Sequence, residues 1–237
     1  MISDTIFKSS ELRLPTEPAG IVPEGPFWSE CIVNRAGIIL ALFLLVLNLK
    51  NFLHLWPYIT DCLRRTRGSL SLEHSISVAR SRDLTALSCI IPFCLVVDRF
   101  GLYPAAFLTA LPQGWRAPAT VGVLLAFLCL RLLMQAVFGG RMGRGDFRSA
   151  VQCTLLNYFL ALVIVMLVSV GVILVAGVPD GAARTILLVE TGFFYLCSTI
   201  RTLQILATRY SVFPTFLYLC ALEFLPAGAL VAAALVI

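Results

Sequence analysis

The chain has 237 residues, of which 59% are hydrophobic and 13% charged, and its mean hydropathy is +0.92. Soluble domains carry about 25% charged residues, so the composition excludes an ordinary soluble globular protein. The net charge of +5 does not indicate nucleic-acid binding, because the arginines sit in short connections between apolar blocks, where they set membrane orientation.

Those blocks are about twenty residues long, the length a helix needs to cross a hydrocarbon core of roughly 30 Å. The alternating ten-residue strands of a membrane barrel do not occur. The expected fold is therefore all-α, a polytopic membrane helix bundle. Most of the eight cysteines lie within or beside apolar blocks and no CxxC is present. Neither a disulfide framework nor a metal site is expected, and no cofactor motif is found.

Residues 1–33 carry five acids, two bases and four prolines, which disfavour a continuous helix and suit an extended, disordered tail. No signal-peptide pattern precedes the first apolar block. Residues 34–237 then form the transmembrane domain, with six expected spans: 36–56, 84–103, 118–138, 154–177, 184–206 and 212–235. The second is interrupted by Asp98 and Arg99. Either it ends near them, which places both charges at an interface, or it runs on to Leu111, which buries them. The basic residues concentrate in the first, third and fifth connections, so the positive-inside rule sends these to the cytoplasm and both termini to the periplasm. In the first connection, Leu72, Ile76 and Ala79 share one helical face, which beside a membrane suits an interfacial amphipathic helix.

Polar residues inside the spans are the candidate functional groups, because an ionised side chain in hydrocarbon costs about 2.5–3.5 kcal/mol on insertion scales. In the fifth span, Glu190, Cys197, Arg201 and Gln204 fall on one face, and in the third span Arg131 and Gln135 are one turn apart. Asn157 enters from the cytoplasmic end of the fourth. Glu223 is central in the last span, and Pro226 three residues later removes a backbone donor and crowds the carbonyl of Leu222, so a kink is expected there. Counting depth puts Arg131 nearest Glu223, with Glu190 above and Arg201 below. Three roles fit this core. The groups pair and lock the bundle; or Arg131 and Arg201 hold an anionic headgroup or small anion in a cavity gated by Glu223; or Glu190 and Glu223 mark a proton or ion path. Gly139–Gly145 contains two arginines but lacks the Lys-Ser/Thr ending of a P-loop. No Ser/His/Asp or HExxH arrangement can be drawn.

The run Phe216-Leu217-Tyr218-Leu219-Cys220-Ala221-Leu222-Glu223-Phe224-Leu225-Pro226 resembles the closing signature of a family of multi-pass inner-membrane proteins of Bacteroidota, a domain of unknown function. The resemblance implies a Gram-negative cytoplasmic membrane and supplies no catalytic residues. The expected partners are the bilayer itself, other membrane proteins or a second copy of the chain, with an anionic lipid headgroup as a further ligand. The first expectation for function is a binding or assembly subunit of an envelope complex. The second is a carrier or flippase for an anionic, lipid-linked substrate, and a membrane-embedded enzyme comes third.

Overall fold

The computed structural model describes residues 28–64, 76–139, 145–207, 216 and 219–236. The tail before Trp28, most of the amphipathic stretch in the first connection, the glycine- and arginine-rich loop, and Arg209 and Tyr210 lie outside them. Among the described residues all regular structure is helical. A single 3₁₀ turn, Trp28–Glu30, leads into α1 (Ile32–Arg64), α2 (Ile76–Arg99), the one-turn α3 (Ala106–Thr109), α4 (Gln113–Gly139), α5 (Gly145–Ala176) and α6 (Asp180–Ala207). A π-helical segment, Cys220–Phe224, passes directly into α7 (Leu225–Val236).

Four of these helices are long and apolar enough to cross a membrane, over Ile32–Thr60, Gln113–Gln135, Val151–Ala176 and Asp180–Ala207. Six spans were expected. Over its described residues the final apolar helix, Cys220–Ala234, is shorter than the four, the start of the expected span 212–235 lying mostly outside them, and α2 carries Arg80, Arg82 and Asp83 near its start and Asp98 and Arg99 at its end. The packing explains why α2 tolerates that composition. It contacts α1, α4 and α5, and Ala86, Cys89, Ile90, Cys94, Leu95 and Val96 along it are buried. A helix surrounded by protein need not satisfy the demand for apolar character that lipid imposes on an outer helix. By contrast α1 presents Ile39, Leu42, Phe43, Val46 and Leu47 outward.

The end of α2 settles where Asp98 and Arg99 lie. The chain turns at Gly101, whose φ is 57°, and the amide of Leu102 donates to the carbonyl of Val97 at 2.9 Å while that of Gly101 donates to Asp98 at 3.2 Å. These are the two bonds of a Schellman motif, which needs a left-handed residue and so favours glycine. The helix therefore stops at Arg99, short of the expected residue 103, and the apolar run after Pro104 makes only the single turn α3. Gly177, with φ 64°, closes α5 in the same way, through a bond from the Val178 amide to the Ile173 carbonyl at 3.2 Å.

Both charges are held at this end of the bundle. The indole of Trp28 donates to Asp98 at 2.7 Å, and Arg99 lies 3.8 Å from Asp180 at the start of α6. Arg116 in the first turn of α4 donates to the carbonyls of Leu111 and Thr109 at 3.0 and 2.9 Å. The start of α1, the end of α2 and the starts of α4 and α6 thus share one end, so the long helices run alternately up and down.

The α1–α2 seam is the most extensive of the helix contacts, and a small residue brings the two backbones close. A Cβ added at Gly37 would stand 3.1 Å from a methyl of Leu95. A leucine there would force the seam apart, at a cost of about 1–3 kcal/mol for overpacking. The Gly37→Leu variant should lose that stability in a denaturant titration in mixed micelles, whereas Gly171→Leu on α5, where an added Cβ meets nothing within 4 Å, should not.

Candidate functional site: a buried arginine–glutamate pair

The one ion pair buried on both sides among the described residues joins α4 to the π-helical segment. The guanidinium of Arg131 donates from Nη2 to Oε1 of Glu223, and each side chain is only 3% exposed. Leu222, beside Glu223, packs against Leu206 of α6 and Val151 of α5. The pair therefore sits where the last helix joins three others.

Local sequence places the glutamate. Pro226 has no amide to donate, and the segment before it follows the wider π pattern, with the Leu225 amide bonding the carbonyl of Cys220. A π turn inserts one residue into the helical ladder and rotates what precedes it. Here the expected proline kink is expressed as that bulge, and Glu223 lies within it. The backbone carbonyl of Glu223 accepts a bond from the Tyr195 hydroxyl of α6 at 3.0 Å, so α6 secures the bulge from a second side. A further clamp comes from Tyr103, whose hydroxyl donates to the carbonyl of Leu230 at 2.9 Å.

The other candidate residues divide among separate places. Gln135, one turn below Arg131, is 2% exposed; its Oε1 and the Nε of Arg131 have no hydrogen-bond partner among the described residues. Asn157 is buried on α5 and donates to the sulfur of Cys153 at 3.5 Å. Glu190 accepts from the Ser169 hydroxyl at 3.1 Å, a bond across the α5–α6 contact. Arg201 donates to Gln204 at 3.1 Å, on its own helix. On the shared face of α6, Glu190 thus bonds to Ser169 and Arg201 to Gln204, while Glu223 is the acid that reaches across to α4. The acid instead takes the arginine that depth counting put nearest.

Tyr195 and Ser169 were not singled out from sequence, and Trp28 was read only as an interface residue. For Tyr195 the available signal was a hydroxyl in mid-span, which when buried normally finds a partner. For Trp28 and Ser169 no spacing rule pointed to partners 70 and 21 residues away.

The fold and the pair together define a class: an all-helical bundle with four helices able to cross a membrane by length and composition, tied internally by an arginine–glutamate bond. Comparison of the chain with known protein families, with curated proteins and with solved structures finds no match.

Proposed function

We propose that the chain is a polytopic inner-membrane protein of six spans that works by binding other membrane proteins, as an assembly subunit of an envelope complex. In this reading α2 and the π-helix–α7 unit are the two spans added to the four long apolar helices, with both termini periplasmic and the basic connections cytoplasmic. The Gram-negative setting rests on the resemblance of the segment ending at Pro226.

The observation that carries the binding role is the closed state of the Arg131–Glu223 pair. Both partners are 3% exposed and Arg131 donates to Glu223, so this buried pair is committed to joining helices. A carrier needs an approach to its arginines; Arg131 is enclosed, and Arg201 bonds to Gln204 on its own helix. With the interior committed to the fold, recognition falls to the outer faces, and α1 and α6 both present long rows of exposed leucine, isoleucine and phenylalanine, α1 being the first to test.

The test is affinity capture of the full chain from native membranes after photocrosslinking from single positions on α1, such as Phe43 and Leu47. A discrete heterologous membrane protein crosslinked from these positions is expected. Crosslinks to lipid alone, with the chain migrating as an isolated monomer, would overturn the assembly role. Labelling of single cysteines placed in the N-terminal tail checks orientation independently, and protection of that tail in intact cells would reverse it.

A further inference from the structure

A second feature lies away from the ion pair, between α2, α4 and α5. A cavity of about 290 Å³ opens there, with Asp83 and Gln152 among its lining residues and the remainder of its wall formed by apolar side chains such as Ile90, Leu124, Leu128 and Leu156. The polar residues are not scattered. Asp83 and Gln152 are the earliest lining residues of α2 and α5, two helices that run in the same direction, so both stand at one end of the cavity. At the other end Phe159 closes the wall, its ring packed edge-on against Phe93 with centroids 5.5 Å apart.

The dimensions follow the bilayer. Asp83 and Ile90 are seven residues apart in one helix, about 10 Å at 1.5 Å per residue. A single leaflet of hydrocarbon is about 15 Å deep, half the thickness of the core. An apolar slot reaching about two thirds of that depth, with a polar mouth, has the polarity of a lipid: tail inward, headgroup at the interface. Asp83 supplies the charge at the mouth. Its side chain is 55% exposed, and Arg82 donates to it twice, at 3.0 and 2.9 Å, both times to Oδ1. The second carboxylate oxygen is left to accept from a ligand, and the amide of Gln152 adds a neutral donor and acceptor.

We infer that this cavity is a binding site for one phospholipid acyl chain of the inner leaflet, with Asp83 receiving the ammonium of an amine-bearing headgroup. The inference rests on the membrane-spanning reading above and is independent of the assembly role. Ethanolamine-type and glycerol-type headgroups both carry a phosphate, and the ethanolamine type adds an ammonium that can bond the Asp83 oxygen Arg82 leaves open, so it is favoured. Only the first offers N–H donors, and a charge-assisted bond of that kind corresponds to about a tenfold preference.

The full chain is reconstituted in bilayer discs of equal phosphatidylethanolamine and phosphatidylglycerol, released in mild detergent and weighed intact by native mass spectrometry. Recovery of the protein with the disc reports insertion, separately from what is retained afterward. The wild-type chain is expected to keep one phosphatidylethanolamine in about tenfold preference. Asp83→Asn should keep a lipid but lose the preference, and Leu128→Trp, which fills the slot, should lose the lipid. Gln152→Leu, which leaves Asp83 and Arg82 untouched, should narrow the preference and serves if Asp83→Asn does not fold. Retention of no lipid by an inserted wild-type chain, equal retention of the two headgroups, or undiminished retention in Leu128→Trp would each overturn the site. Failure to recover the chain with the disc would instead overturn the membrane reading on which it rests.

Discussion

Replacing either member of the Arg131–Glu223 pair alone is expected to cost about 3–5 kcal/mol of stability, the range for removing one partner of a buried salt bridge. The loss is large because the remaining charge stays where water cannot reach it: both side chains are 3% exposed. Arg131→Met would leave the Glu223 carboxylate without its donor, and Glu223→Gln would leave a guanidinium facing a neutral amide. Replacing both should behave differently. A buried ion pair exchanged for apolar residues of similar volume is often neutral or stabilising, so Arg131→Met/Glu223→Leu should return to within about 1 kcal/mol of the wild type. Denaturant titration in mixed micelles of the four proteins gives the coupling directly. The proposed lock would fail if the double variant were as unstable as the sum of the singles, or if Glu223→Gln were fully stable and only inactive. A stable double variant that still assembles with its partner would show that the pair serves the fold alone.

Truncating Leu160 to alanine is the second large effect. Leu160 is 0% exposed and sits in a cluster with Leu55 of α1, Cys89 of α2 and Val163 of α5, so three helices border the space it fills. In a soluble core the cost of Leu→Ala combines a transfer term with a cavity term. Lipid tails are as apolar as leucine, so the transfer term contributes little inside a bilayer and lost packing remains. The expected loss is therefore at the lower end of the soluble range, about 2–3 kcal/mol. Leu47→Ala provides the contrast: Leu47 is exposed on α1, and its removal should be near neutral. Equal losses at the two positions would contradict the arrangement of α1, α2 and α5 around this cluster.

Much of the architecture was legible because it depends on local chemistry. The long apolar blocks give helices over Ile32–Arg64, Gln113–Gly139, Gly145–Ala176 and Asp180–Ala207, each wider than its expected span because helix formation extends into the flanking polar residues. Gly101 followed by Pro104 already favours a stop after Arg99, yet the apolar residues beyond it drew the expected boundary to residue 103. Apolar character reports where a chain can be buried; a left-handed glycine decides where its hydrogen-bond ladder ends.

In the candidate site, depth along each helix was sufficient to pair Arg131 with Glu223, since rise per residue is fixed. Rotation about each helix was not available in the same way. Arg201 lies on the same face of α6 as Glu190, yet the two find separate partners, Gln204 and Ser169.

The sequence by itself determined the helical class, the apolar lengths and the presence of costly charges within them, because each follows from composition and from the geometry of a single helix. Only the tertiary structure decided that α2 is enclosed by three neighbours, that Pro226 produces a π turn, and that Tyr195 holds the carbonyl of Glu223. Those outcomes depend on which helix faces meet, and contacts between residues far apart in the chain have no local period from which to read them.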